Sequence, residues 1–405
     1  MNSSVDPGGC SGFSRRTFFR FAAGASALAS MPILTEARLA MAERPKFADP
    51  NKGIHIDANE NPLGPSEAAR QAIADIIPKG GRYEFNMQED LAETFAKIEG
   101  LSPDSVIPFA GSSEPLHYTV LAFTGKNKPL VIADPGYEAP MWAAKVSGAP
   151  VLRVPLADPK GAASHDIKAM LAASSNPGVI YICNPNNPTG TCTPQADIEY
   201  AVANAPKDTV LLIDEAYIHL CDAPRSLAFV KDGKNVIVLR TFSKLYGMAG
   251  IRMGFAVGRP DLLAKLVPFG GQNSLPITAV AAAKASLIDP DLVSSRRKII
   301  GDIRTENLAW LKSSGYACTP SESNCFMLDV RRPGKEVLAA MAAKEIYIGR
   351  IWPAWPTQVR ITVGTPDEMA AFRKAFTEVM SSSTAGLVAP PLPRKLADRP
   401  FTHLS

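Results

Sequence analysis

One lysine stands in a short turn between two apolar runs. Val236-Ile237-Val238-Leu239 precedes it and Gly254-Phe255-Ala256-Val257-Gly258 follows it, both with the length and character of buried strands. Between them runs Thr241-Phe242-Ser243-Lys244-Leu245-Tyr246-Gly247-Met248-Ala249-Gly250-Ile251-Arg252. An amine held in an apolar setting has its pKa lowered, and a neutral amine attacks a carbonyl carbon to form a Schiff base. The Ser243 hydroxyl and the Arg252 guanidinium suit a phosphate. Gly247, Ala249 and Gly250 let the backbone come close to another group. Taken alone, the stretch also reads as a surface lysine in a Gly-rich turn.

Two more apolar runs end in reactive side chains. Val210-Leu211-Leu212-Ile213 leads into Asp214-Glu215-Ala216-Tyr217, and Val179-Ile180-Tyr181-Ile182-Cys183 leads into Asn184-Pro185-Asn186-Asn187-Pro188-Thr189-Gly190. The order N-P-x-N-P-T-G, D-E-A-Y, S-K-x-x-G-x-A-G-x-R-x-G resembles the class I/II pyridoxal-phosphate (PLP) aminotransferases, and within them the histidinol-phosphate aminotransferases. The resemblance spans roughly residues 54–381. It implies the PLP fold type I architecture: an α/β large domain on a mainly parallel seven-stranded sheet, a small α+β domain built from both chain ends, and a homodimer.

The resemblance also implies roles. Lys244 forms the Schiff base and later carries the Cα proton. Asp214 pairs with the pyridine nitrogen and keeps it protonated, so that the ring acts as an electron sink. Tyr217 and Asn187 hydrogen-bond the ring oxygen. Ser112, Ser113, Ser243, Arg252 and Tyr83 hold the phosphate, Tyr83 reaching the neighbouring subunit's cofactor. Tyr137 lies against the ring, and Arg360 takes the substrate carboxylate.

The residues carry their own arguments beside these. Gly111-Ser112-Ser113-Glu114 ends the run Val106–Ala110, and a helix start there suits an anion, although G-S-S before a helix is also an ordinary N-cap. Tyr137 follows the run Leu130–Asp134, where an aromatic face can cover a flat ring or simply join the core. Arg360 sits in the strand-like Val359-Arg360-Ile361-Thr362-Val363, where a charge is costly unless paired. A substrate carboxylate or an internal acid satisfies that need. Arg82-Tyr83-Glu84-Phe85 stands where the family has R-Y-P-D, so the Tyr matches and the Pro does not. Asn59, in Asn59-Glu60-Asn61-Pro62, matches the family segment at the substrate entrance, or else belongs to a turn-rich linker. Arg350 matches an arginine that binds a substrate phosphate. The following Ile351-Trp352-Pro353-Ala354-Trp355-Pro356 either walls an apolar pocket or packs a loop.

The supporting elements follow from pattern. Ser66 caps a helix through Ile77. Leu91, Phe95 and Ile98 recur at helical spacing and read as core. Arg296 to Leu311 reads as a long connector helix, and Gly270-Gly271-Gln272-Asn273 as a loop able to approach a partner subunit. Alternating strands and helices argue an α/β fold whose ligand site lies at the strand exits.

The ends differ from the middle. Ser14-Arg15-Arg16-Thr17-Phe18-Phe19-Arg20, an Ala-rich apolar stretch from Phe21 to Leu34, and the small-x-small site Ala40-Met41-Ala42 follow signal-peptide order. The paired arginines resemble a twin-arginine export signal, which carries folded proteins. A basic tail or a membrane anchor is the alternative, although the stretch is too short and Ala-rich to span a bilayer comfortably. The expected plan is a signal over 1–42 lying outside the fold, a small-domain segment over 43–80, a PLP domain over 81–295, a C-terminal small domain over 296–382 and a Pro-rich tail over 383–405. Export implies a periplasmic or otherwise external enzyme, with the export machinery as a transient partner and no membrane contact in the mature form.

A net charge of +4 without a basic tract gives no footprint for nucleic acid. Of the six Cys, Cys10 lies in the signal, and five is an odd count for a disulfide framework, so they read as small apolar residues. No metal is expected. The expected function is amino transfer between an L-amino acid, or a histidinol-phosphate-like amine, and a 2-oxo acid. A PLP decarboxylase or β-lyase, and an exported binding protein without catalysis, are the alternatives.

Overall fold

The computed structural model describes residues 33–44, 52–270 and 274–382. The twin-arginine motif, Cys10, residues 271–273 of the glycine-rich loop and the Pro-rich tail lie outside the described residues. The strands are β1 (Ile54–Ile56), β2 (Val106–Phe109), β3 (Leu130–Asp134), β4 (Val151–Pro155), β5 (Val179–Cys183), β6 (Val210–Asp214), β7 (Val236–Thr241), β8 (Gly254–Gly258), β9 (Cys325–Asp329), β10 (Ile346–Ile348) and β11 (Gln358–Thr362).

Seven of them form one sheet in the order β2-β8-β7-β6-β5-β3-β4. β8 alone runs against its neighbours; the other pairs are parallel. β5, β6, β7 and β8 are buried along their whole length. That is why their sequences are unbroken apolar runs rather than alternating ones: the sheet is covered on both faces. Val236 to Leu239 are fully buried, and each such side chain contributes roughly 1.5–3 kcal/mol.

The topology opens the site. The chain leaving β3 crosses to β4 on one side, and the chain leaving β5 crosses to β6 on the other. Ligands bind in the crevice at such a switch point, beyond the carboxyl ends of the strands. Tyr137 follows β3, Asn187 follows β5, and Lys244 follows β7. The register pairs Cys183 with Asp214 and Asp214 with Leu239, so β5 and β6 end level and β7 reaches two residues farther, to Thr241.

β1 pairs in parallel with β10, and β9 pairs antiparallel with β11. The early strand thus lies beside late ones, which brings Asp57 and Asn59 to Arg350 and Arg360. Gly349 makes the approach possible, because a Cβ there would sit 2.7 Å from the Arg360 carbonyl oxygen. The helix Glu67–Ile76 starts at Ser66, whose Oγ accepts the Ala69 N–H. The helix Leu292–Ser313 runs through the expected connector without a break.

Two expectations need correction. Leu91 and Phe95 are core, but Ile98 is 51% exposed, because it lies on the outer side of the helix Asn86–Glu99. Residues up to 42 do not all lie outside the fold. A helix spans Glu36–Glu43, with Ala40 buried and Leu34 and Leu39 packed on the main core. Among the described residues, no helix is long and apolar enough to cross a membrane.

Candidate active site

The crevice holds a cavity of about 300 Å³. Nine residues singled out from the sequence line it: Ser112, Ser113, Tyr137, Asn187, Asp214, Tyr217, Ser243, Lys244 and Arg252. Four others do not. Asn59, Arg350 and Arg360 stand behind the wall, and Tyr83 is 71% exposed, stacked on Phe85 at the surface.

Lys244 is buried, and its Nζ donates to the Asn59 carbonyl oxygen at 2.9 Å. Burial lowers its pKa, with Glu36 opposing the shift. This is the setting in which an amine becomes a nucleophile and base. The turn that carries it needs Gly247 at φ +68°, where a Cβ would collide with the Gly64 carbonyl. Asn61 ties the same loop down by donating to the Leu245 carbonyl at 2.8 Å. The N-terminal loop therefore packs directly on the catalytic turn. Asn59 has a positive φ of 53°, accepts from Lys244 and donates from its side chain to the Tyr217 hydroxyl at 3.0 Å. It is a hub that positions two reactive groups and does not line the cavity.

Asp214 ends β6 with its carboxylate at the cavity. Burial raises its pKa to about 6, against the Tyr181 hydroxyl, which donates to it at 2.9 Å, and the Ala216 N–H. Its neighbour Glu215 serves the fold instead, pairing with buried Arg240 at 2.7 Å. Tyr181 is a contributor that the sequence reading missed; it lies on β5 two residues before the strand's end and reads there as plain core.

At one end of the cavity is an anion cup. The helix Ser113–Phe123 begins there, and the Ser112 side chain makes no capping bond, so hydroxyl and N–H groups face the space. Arg252 adopts φ 70°, rare for a non-glycine. Its guanidinium donates to Ala249 O at 2.9 Å, Ala110 O at 3.2 Å and Ser243 Oγ at 3.4 Å. No carboxylate pairs with it among the described residues. Gly254 keeps the cup open, since a Cβ there would meet Gly111 and Ser112 backbone within 2.9 Å.

At the other end are two arginines. Arg360 is fully buried on β11 and donates to Asn187 Oδ1 at 2.9 Å and to the Asp57 carbonyl at 2.7 Å. Arg350 pairs with Glu138. The indole of Trp352 stacks under both guanidinium groups, 4.6 Å from Arg350 and 5.4 Å from Arg360, and donates to the Gly136 carbonyl. Trp352 is thus a platform for cations, and Trp355 packs with Ala133, Leu156 and Ala163. Neither is among the residues that line the cavity. Glu36 completes the end: its Oε1 accepts from Arg360 at 2.7 Å and from Arg350 at 3.4 Å, and its Oε2 accepts from Asn187 at 3.1 Å. Burial works against its charge, but Arg360, Arg350 and Lys244 outweigh that and hold its pKa at about 2.

Sequence reading missed Glu36 because it stands inside the segment expected to be an export signal. The five described cysteines are free: Cys183 lines the cavity, and away from it Cys192, Cys221 and Glu322 bring potential ligand atoms within 4.8 Å of one another.

These groups fit PLP: a low-pKa amine, a buried carboxylate for a ring nitrogen, and a cation in an anion cup with only neutral partners. The sequence profile of the family "Aminotransferase class I and II" matches residues 51–376. The chain is 33% identical over 326 residues to a histidinol-phosphate aminotransferase of Symbiobacterium thermophilum, covering 80% of this chain and 89% of that one. It is 32% identical over 350 residues to an aromatic amino acid aminotransferase of Mycolicibacterium smegmatis, covering 83% and 93%. Among solved structures it is similar to a histidinol-phosphate aminotransferase from Sinorhizobium meliloti in complex with pyridoxal-5'-phosphate, with a TM-score of 0.75, 26% identity, and coverage of 91% and 98%. The fold, the cavity and the relatives agree: the chain belongs to the class I and II aminotransferases and is a PLP-dependent aminotransferase.

Proposed function

We propose that this aminotransferase recognises its L-amino acid donors and 2-oxo acid acceptors through their shared carboxylate, docked on Arg360, with aromatic or imidazole side chains preferred. The observation that carries the reading is Arg360 itself. It is fully buried beside Asn187, and its Nη2 already holds a carboxylate oxygen at 2.7 Å. Guanidinium binds such a group bidentately. Arg350 is engaged by Glu138 and stacked on Trp352, which favours an amino acid over a phosphate-bearing amine. The aromatic preference rests on the substrates named for the two relatives.

When bound, PLP supplies an electron sink for charge developing at the substrate Cα. Asp214 would hold its ring nitrogen, Asn187 and Tyr217 its ring oxygen, Tyr137 its face, and Ser112, Ser113, Ser243 and Arg252 its phosphate. Lys244 Nζ takes the Cα proton and returns it, a role its lowered pKa suits. Asn59 holds Nζ and the Tyr217 hydroxyl in place.

We further propose export by the twin-arginine route and a homodimer in which Tyr83 reaches the partner's phosphate cup. The Ser14–Arg20 motif supports the first, and the exposed Ile77, Tyr83 and Phe85 support the second. Steady-state kinetics with 2-oxoglutarate test the substrate reading. Phenylalanine should turn over, and phenethylamine, which lacks only the carboxylate, should not. Equal kcat/KM for the two would remove Arg360 from substrate binding.

A further inference from the structure

We infer that Glu36 is a built-in occupant of the substrate carboxylate site, and that the segment 33–44 holds the enzyme latent until it is displaced. The inference rests on the proposal that Arg360 receives the substrate carboxylate.

The segment is seated by several independent contacts. The Leu34 N–H donates to His117 Nε2 at 3.2 Å, Thr35 caps the helix Glu36–Glu43, and Ala40 is buried. Thr35, Glu36 and Ala37 line the same cavity as Lys244 and Asp214. Glu36 then presents a carboxylate to Arg360, with both oxygens bonded and Asn187 completing the set.

Charge balance shows why this is occupancy. Arg350 has a second acid in Glu138, whereas Glu36 is the one carboxylate paired with Arg360 among the described residues. The other Arg360 partners are neutral oxygens. Both terminal nitrogens of Arg360 are already engaged, Nη1 by Asn187 and Nη2 by Glu36 and the Asp57 carbonyl, so a carboxylate that binds this guanidinium bidentately competes for the place Glu36 holds. An incoming acid must therefore expel Glu36. A tethered group acts at an effective concentration in the mM range, so it weakens every competing carboxylate in proportion to its own occupancy. Position supplies the release. Glu36 lies upstream of Ala40-Met41-Ala42, so a cut there would remove it while leaving Asp57, Asn59 and Arg360 in the chain.

The test uses the PLP-loaded full chain and its Glu36→Gln and Glu36→Ala variants. The probe is 3-phenylpropionate, a carboxylate without an amino group, titrated by calorimetry and by fluorescence of Trp352 beneath the two guanidinium groups. Both variants should bind the probe at least tenfold tighter than the wild type, with KM for amino acids lowered. Unchanged or weaker binding in both variants, with Arg360→Gln abolishing it, would overturn latency and leave Glu36 as a residue that positions Arg360. Binding that survives Arg360→Gln would overturn the carboxylate assignment and the latency with it. Gln keeps the shape of Glu36, so a folding defect confined to the Ala variant leaves the comparison intact.

Discussion

An arginine stands at each end of the cavity, half-buried Arg252 in its wall and fully buried Arg360 just behind it, and the chain treats them differently. Arg252, at the helix N-terminus, has only neutral oxygens around it, and burial lowers its pKa. Arg360, at the far end, is deeper, yet its pKa is raised, because Glu36 outweighs its burial. One cation waits for an anion from outside. The other has been given one from within. A resident cofactor suits the first arrangement, since its phosphate can stay as a permanent counter-ion. An exchanging substrate suits the second, since the site must not collapse between turnovers and can be held shut by a carboxylate that competes.

The contrast can be broken at several points. Arg252→Ala removes the uncompensated cation. PLP affinity should fall roughly 10²–10³-fold, the worth of one or two charge-assisted bonds, while the apo form keeps its melting temperature. Apo destabilisation by several degrees would mean that its bonds to Ala249 O, Ala110 O and Ser243 Oγ hold the fold rather than aim the cation. Arg360→Gln should raise KM for phenylalanine about 100-fold with a smaller effect on PLP binding. A loss confined to PLP affinity would reverse the assignment of the two ends.

Between the ends stands Asp214, whose pKa is raised to about 6. An acid raised in the fold destabilises it when ionised. The cost is absent below the ordinary value near 4, grows as pH rises, and is full above 6. Apo Asp214→Asn should therefore be more stable than wild type at pH 8, by up to ~3 kcal/mol, and equal to it near pH 4. Thermal melts at the two pH values check this. Glu36 has the opposite sign, its pKa held at about 2. Its contribution is present above the ordinary value near 4.5 and is lost as pH falls through 2. Glu36→Gln should cost up to ~3 kcal/mol at pH 7, with the deficit shrinking below pH 4. A deficit that does not change with pH would point to packing alone. The smallest effect belongs to Tyr181→Phe, which deletes one donor to Asp214 and should cost about 1 kcal/mol in the apo form at pH 8.

Much of the site was legible because its residues sit at the ends of strands that the sequence marks clearly. Lys244, Asp214, Asn187 and Tyr137 follow apolar runs that form β7, β6, β5 and β3, and neighbouring strands that exit on one side bring them together. Arg360 was legible for a related reason, as a charge between β-branched neighbours in a strand. What stayed hidden depends on contacts far apart in the chain. Glu36 meets Arg360 across 324 positions, from a segment whose composition reads as a signal. Asn59 reads as a turn residue until β1 pairs with β10 and carries it to Lys244 and Tyr217. Trp352 looks like a pocket wall because sequence shows its apolar face and not the two guanidinium groups above it. Tyr83 lies exposed at the surface away from its own cavity, and the role proposed for it involves a second chain.

The most direct test is the visible absorbance of the PLP-loaded wild type, titrated with phenylalanine and then with 2-oxoglutarate, beside a Lys244→Ala variant. Transamination predicts that the wild-type band shifts with the amino acid, returns with the 2-oxo acid, and yields phenylpyruvate and glutamate, while the variant shows no cycle. A wild-type band that no amino acid moves, or one that moves while CO2 or ammonia is released, would contradict it.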